Sequence, residues 1–363
     1  MIKFEIITTE NLQEWESKAL LRNLSIHNSH PFIKGEDKTQ IIRPKKIGEE
    51  IYKTRQTHSE EVSIIGEIIS YNIGFKYPQQ VKNVCLLHDI GHPPFGHDGQ
   101  KILDKVMKKY GLVEGFQDNN ANFDVIFNND IDVSPYEMVS LLKHPEELYE
   151  SQKKMLGNIL KSALEFEKEE WGEKKYTMAC MIMDIADEIG YSFSDFVDGY
   201  NLGYTNFKIV KFVEEMIKLS TSKEVQNILK EIRKNLLTDK SKRENRRLVN
   251  KLKLEIVNSV KYDYDTSSLV MSDNNRIIKK AFSDFNLDHF IHNKKVEIDR
   301  GEESVIFETF CEFILSNEYF TSNMYSKKHL KMKGKENQLR NLRNMIGDLT
   351  DNYVLDFVRN ELS

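Results

Sequence analysis

The stretch His88 to Gln100, HDIGHPPFGHDGQ, limits what this chain can fold into more than any other. It puts three histidines, two aspartates, a tandem proline pair and three glycines into thirteen residues of a chain with ten histidines and seven prolines in all. Upstream, Val81, Val84, Cys85 and Leu87 are spaced as the buried face of a helix. His88 and Asp89 then stand at its inner end. Gly91, Pro93 and Pro94 end it, because proline cannot continue a helix and restrains the residue before it. His92, His97 and Asp98 fall on the tight loop or at the start of the next helix. An adjacent His-Asp pair offers one imidazole and one carboxylate. That mixture suits Mn, Fe, Zn, Ni or, less well, Mg.

Two neighbours do not close a metal site, and two distant words supply further donors. His58 lies in YKTRQTHSEEV, on a helix predicted over 48–75 with Ile51, His58, Val62, Ile65, Ile68 and Ile69 as its inner stripe. Arg55, three residues earlier, points the same way. A guanidinium beside a metal clamps phosphate through forked, charge-assisted hydrogen bonds; the alternative is a surface arginine paired with Glu50 or Glu60. The second word is MIMDIADEIGYSFSDFVDG. Asp187, Tyr191 and Asp195 are four apart and form one stripe on a largely apolar helix, which is costly unless they are paired or liganded. Asp198 reads as the cap of a following turn.

The order His58, His88-Asp89, Asp187, together with the words TRQTHSEEV, LLHDIGHPPFGHDGQ and ADEIGYSFSDFVDG, resembles the HD phosphohydrolase superfamily. The fuller match is to its deoxynucleoside triphosphate triphosphohydrolases, the dGTPase-like enzymes. MIGDLTDNYVLDF, Met345 to Phe357, is a weaker echo, and Lys38-Thr39-Gln40 another. The resemblance implies an all-α fold, an HD-domain helical bundle with a C-terminal helical extension. It implies a divalent ion (Mn, Mg, Fe, Ni or Zn) held by His58, His88, Asp89 and Asp187. It implies that a deoxynucleoside triphosphate, with dGTP preferred, is split into deoxynucleoside and inorganic triphosphate. Arg55 and His92 would contact the triphosphate, Tyr191 and Asp195 the sugar. Asn119 is a further substrate contact, from Phe116-Gln117-Asp118-Asn119-Asn120-Ala121, where the family commonly has Phe-Glu-x-Asn-Ala-Gln. His97 would be the acid or the base that orients water, since an imidazole titrates near neutrality; a loop-bracing role is the alternative for either loop histidine. The family normally places an acid three residues after His97, and this chain has Gln100. An amide orients an imidazole but cannot stabilise imidazolium by charge, so slower turnover is expected. Asp98 substitutes only if the loop turns it inward. The resemblance also implies a deoxynucleotide or single-stranded nucleic-acid effector and a homo-oligomer, a hexamer among the forms. Two other readings stand beside this one: another HD-type nucleotide phosphohydrolase or phosphodiesterase, and a nucleotide-binding regulator with a weakened site.

The rest of the chain bounds these readings. A net charge of −5 with 30% charged residues argues against a protein coated with nucleic acid. TDKSKRENRRLVNKLK, residues 238–253, is first a solvated helical face and second a contact to nucleotide or single-stranded nucleic acid. Cys85, Cys180 and Cys311 sit in apolar helical words and read as reduced core residues. No apolar run approaches the ~18 residues of a membrane span, and the N-terminus lacks a signal pattern, so a cytoplasmic protein without membrane contact is expected. The layout expected is an N-terminal segment (1–47), a metal-binding core (48–200) and a helical extension packed on it (201–363). Ser134, Pro135 and Glu137 open a helix predicted over 134–150. His27, His30 and His144 read as solvated or structural. Two or three amphipathic helices are expected over 205–260, then a short extended piece and another helix. SKKHLKMKGKENQLRN, residues 326–341, reads as a basic loop over a phosphate pocket.

Overall fold

Helical spacing dominates the sequence, and helices build the protein. A computed structural model of the chain describes residues 7–41, 53–205, 208–238, 242–316 and 335–362. Among them are α1 (Thr9–His27), α2 (His30–Lys34), α3 (Arg55–Ile73), α4 (Pro78–Leu87), α5 (Gly96–Tyr110), α6 (Asp118–Asn128), α7 (Pro135–Ser140), α8 (Glu150–Trp171) and α9 (Met178–Asn201). There follow α10 (Ile209–Leu219), α11 (Lys223–Thr238), α12 (Lys242–Asn258), the strands β1 (Lys261–Asp263) and β2 (Ser268–Val270), α13 (Asp273–Asn286), α14 (Lys294–Ser316), α15 (Lys335–Gly347) and α16 (Asp351–Glu361). The fold is all-α; among the described residues the two strands form a single antiparallel hairpin.

Two apolar cores organise these helices. The larger joins α1, α3, α4 and α7 to α13, with Val62, Val84, Leu87, Ile182 and Phe193 among its buried side chains. The smaller joins α5 to α14, α15 and α16 through Leu103, Met107, Phe307, Phe310, Ile346 and Val354. The stretch from His88 to Phe95 runs from α4 in the first core to α5 in the second. It is therefore anchored at both ends by burial.

Several local signals act as expected. Ser134 and Glu137 make a reciprocal capping box at the start of α7. That helix stops at Ser140, well short of residue 150. Pro145 disfavours helical backbone at His144, and Lys143 has left the helix to pair with Asp184. The helix predicted over 48–75 is described from Arg55 onward. Residues 42–52 lie outside the described residues, as does most of the predicted basic loop, whose last part is the start of α15. The basic run of α12 is not solvated throughout: Lys253 is buried and paired with Glu61 of α3. Cys85, Cys180 and Cys311 are buried and free. No helix among the described residues is long and apolar enough to cross a membrane.

Candidate metal centre and substrate cavity

Three short-range decisions bring the donors together. Thr54 caps α3 and exchanges hydrogen bonds with Thr57, which sets Arg55 and His58 on the first turn facing inward. The segment Lys38–Gln40 runs beside this cap: Arg55 N–H donates to Lys38 C=O at 2.9 Å, and Thr39 bridges Thr54. At the end of α4, His88 Nδ1 donates to Cys85 C=O at 2.7 Å. That bond leaves Nε2 as the ring nitrogen turned toward the carboxylates, the arrangement metal-binding histidines use. Asp187 lies in the middle of α9, which packs against α3 and α4.

One donor atom each from His58, His88 and Asp187 lie within 4.8 Å of one another. His58 Nε2 is 2.9 Å from Asp187 Oδ1, and His88 Nε2 is 3.7 Å from the same oxygen. Asp89 stands beside them, with Oδ1 3.5 Å from His88 Nε2 and Oδ2 4.0 Å from His58 Nε2. Its Oδ2 also accepts from Arg55 Nη1 at 2.6 Å. His88 Nε2 is buried without a hydrogen-bond partner. A buried nitrogen aimed at two carboxylates, bonded to neither, is what a divalent ion would satisfy. Two imidazoles and two carboxylates fit such an ion. Burial works against ionising Asp187, but the hydrogen bond from His58 and the nearby His88 imidazole hold its carboxyl below the usual range.

A cavity of about 370 Å³ opens over this cluster. Arg55, His88, Asp89, His92, His97, Asn119, Asp187, Tyr191 and Asp195 all line it. His58 lies behind them, 1% exposed. Arg55 is buried, and its Nε and Nη2 have no hydrogen-bond partner, so a guanidinium edge is left for an anion. Its observed partner is Asp89 rather than Glu60, and Glu50 lies outside the described residues. On the α9 stripe, burial and then the charges of Asp198 and Asp187 push Asp195 well above the ordinary carboxyl range. That shift favours the protonated form of Asp195, which can donate as well as accept. Burial raises Asp198 to about 6 against the pull of Lys53, whose backbone N–H it accepts at 3.1 Å.

The loop histidines divide. His92 is buried, with Nδ1 3.3 Å from Asp89 Oδ1 and Nε2 3.2 Å from Asp118 Oδ2. Burial and then Arg55 lower it to about 4, against Asp89 and Asp118. His97 is exposed on the first turn of α5, with Nδ1 3.4 Å from Gln100 Oε1. Gln100 lies outside the cavity and lines an adjoining cleft of about 820 Å³ that shares His97. Asp98 is turned away from His97 and held by Arg300 Nε at 2.7 Å.

Sequence reasoning passed over several groups. Lys143 and His144 line the cavity, as does Gln40. Asp118, one position after Gln117, faces His92. Lys38 is buried and donates to His92 C=O at 2.7 Å and Gly347 C=O at 3.0 Å. Asp351 accepts from Thr39 N–H and Oγ1 and from Phe95 N–H. The only advance signals for the last two were the Lys38-Thr39-Gln40 and Met345–Phe357 words.

Residues 55–191 match the family model described as the HD domain. The chain is 28% identical over 218 residues to deoxyguanosinetriphosphate triphosphohydrolase-like protein 2 of Mesorhizobium japonicum, covering 49% of this chain and 45% of that protein. It is 31% identical over 183 residues to a deoxyguanosinetriphosphate triphosphohydrolase-like protein of Leptospira interrogans, covering 50% and 45%. A similarly named protein of Shewanella woodyi is 27% identical over 258 residues, covering 54% and 56%. The chain thus spans about half the length of the curated relatives it matches. Among solved structures, a hypothetical protein from Aquifex aeolicus aligns at 18% identity with a TM-score of 0.47, covering 94% of this chain and 68% of that one. The matched residues 55–191 are those that bring His58, His88, Asp89 and Asp187 together, so this segment of the chain is similar to the HD domain, and the relatives named above carry the description deoxyguanosinetriphosphate triphosphohydrolase-like.

Proposed function

We propose that this chain is a metal-dependent phosphohydrolase that cleaves a deoxynucleoside triphosphate, dGTP by preference, into deoxynucleoside and inorganic triphosphate. The observation that carries the reading is the convergence of His58, His88 and Asp187 under a cavity also lined by Arg55, Tyr191 and Asp195. His58, His88, Asp89 and Asp187 would hold the ion, which when bound polarises a phosphoryl oxygen and acidifies water. The chain's own groups do the rest. Arg55 takes phosphate oxygens with its unpartnered Nε and Nη2. His92 stands behind it, and Asn119 lines the same wall. Water attacks the α-phosphorus and the bond to the 5′ oxygen breaks. His97, open to the cavity mouth, delivers the proton that this oxygen needs to leave as a hydroxyl. Tyr191 and Asp195 hydrogen-bond the sugar.

The test is product analysis. Purified protein is incubated with each dNTP in Mn²⁺ or Mg²⁺ and the products are resolved by ³¹P NMR. Inorganic triphosphate is expected; monophosphate or pyrophosphate instead would make this another kind of HD hydrolase. Gln100 favours a second reading, a nucleotide-binding regulator. That reading predicts a raised melting temperature with dNTP and no product at all.

A further inference from the structure

Resting on the reading of His97 as the proton donor, we propose that Asp118 is a positioning residue. Its carboxylate holds the His92–His97 pair in register, the orienting role that an acid at the position of Gln100 would otherwise fill. Neither acid near His97 in sequence fills that place. Gln100 is an amide at 3.4 Å, and Asp98 is committed to Arg300 and Lys101. Asp118 is 9% exposed and reaches the pair from α6 instead. Its Oδ2 lies 3.2 Å from His92 Nε2, and donor atoms of His92, His97 and Asp118 all fall within 4.8 Å of one another. The two imidazoles meet edge to face, 5.3 Å between centroids, so a constraint on His92 is a constraint on His97.

The placement of Asp118 is built into the fold. Asn122, one turn further along α6, accepts from Gly91 N–H at 2.7 Å and donates to His88 C=O at 2.7 Å. A Cβ at Gly91 would stand 2.3 Å from Asn122 N, so only glycine lets α6 dock this closely on the turn. Asp118 Oδ1 accepts from Asn119 N–H at 2.8 Å, which fixes the carboxylate and leaves Oδ2 toward His92. A carboxylate at this distance orients the His92 ring, and through the edge-to-face contact it orients the His97 ring.

The experiment compares wild type, Asp118→Asn, Gln100→Glu and the Asp118→Asn/Gln100→Glu double variant. For each, kcat and KM are measured on the best dNTP, metal content is measured by mass spectrometry, and imidazole tautomers are read by ¹H–¹⁵N NMR. Asp118→Asn should lower kcat by about 10- to 100-fold, the range for losing a group that orients a first-line residue, with KM and metal content unchanged. The His97 tautomer distribution should change with it. Gln100→Glu should recover most of the lost kcat in the double variant, because it restores a carboxylate within reach of the same ring. A merely structural Asp118 gains nothing from that second substitution, and absence of rescue overturns the proposal. So does an unchanged kcat in Asp118→Asn. Loss of a metal equivalent in Asp118→Asn overturns it too, since His92, His97 and Asp118 would then be holding an ion. If wild type releases no triphosphate, the functional reading fails separately. The NMR comparison still decides the contact: identical His97 tautomers with and without the Asp118 charge reject it.

Discussion

Asp351 links three segments that are far apart in sequence, and its removal has a calculable cost. Its carboxylate is 1% exposed. Oδ2 accepts from Thr39 N–H at 2.9 Å and Thr39 Oγ1 at 2.6 Å, and Oδ1 accepts from Phe95 N–H at 2.9 Å. Asp351→Ala leaves two backbone N–H groups buried without an acceptor. At about 1–3 kcal/mol for each stranded group, the loss is about 2–6 kcal/mol. Asp351→Asn keeps one oxygen but turns an N–H₂ toward a donor, so it loses about 2 kcal/mol, the worth of one charge-assisted bond. Phe95 amplifies the effect: its φ of 60° is left-handed, which costs a non-glycine residue about 1–2 kcal/mol and needs an anchor. Urea unfolding followed by circular dichroism, extrapolated to water, reads both variants. Hydrolysis should fall with stability, since Phe95 sets the entry to α5 and hence the place of His97. A loss below about 1 kcal/mol for Asp351→Ala would refute the reasoning, because that is less than one stranded amide.

Three further outcomes follow from the geometry. Asp187→Asn should purify without its divalent ion while remaining folded, checked by metal analysis and circular dichroism; full metal content would remove Asp187 from the ligand set. Gly91→Ala should cost about 3 kcal/mol or more, because its Cβ would stand 2.3 Å from Asn122 N and both backbones are fixed; an unchanged melting temperature would mean that α6 can move. Burial lowers Lys38 from 10.5 to about 8. Between these two values the unfolded chain still holds the proton that the folded chain has released, so stability rises with pH. The contribution is about 3 kcal/mol across that window, and it should be missing from the pH–stability curve of Lys38→Met.

The convergence of His58, His88, Asp89 and Asp187 could be anticipated because each is placed by local rules. Helical spacing fixes the direction of His58 relative to Arg55 and of Tyr191 and Asp195 relative to Asp187. The glycines and prolines after His88 fix a turn. Asp118 was not legible. It stands one position past the expected acid, and whether it faces His92 depends on how α6 docks through Asn122 onto Gly91. No helical period encodes that. Lys38 and Asp351 were harder still, since their partners lie as much as 312 residues away. The extent of α7 failed differently: Ser134 and Glu137 describe how a helix begins, and nothing there says where tertiary contacts will end it. Lys253 sits in a run of charge that reads as surface, and only its pairing with Glu61 makes its burial affordable.

The turn from His88 to Phe95 lies between two cores and has no regular backbone pattern, so its polar groups need other partners. The chain supplies them as side chains from remote segments. Asn122 takes His88 C=O and Gly91 N–H, Lys38 takes His92 C=O, and Asp351 takes Phe95 N–H. The backbone that aims His88, Asp89 and His92 is thereby fixed before any ligand arrives. Among the buried atoms left without a hydrogen bond, His88 Nε2 and Arg55 Nε and Nη2 belong to residues that line the cavity. Unsatisfied buried groups cost stability in the empty protein, and that cost is returned when an ion and a phosphate satisfy them. Such a site stabilises charge without having to reorganise at the moment of reaction. Substitutions at the remote braces should therefore reduce stability and rate together, whereas those at the unpartnered atoms should reduce rate while leaving the empty protein as stable as before, or more so.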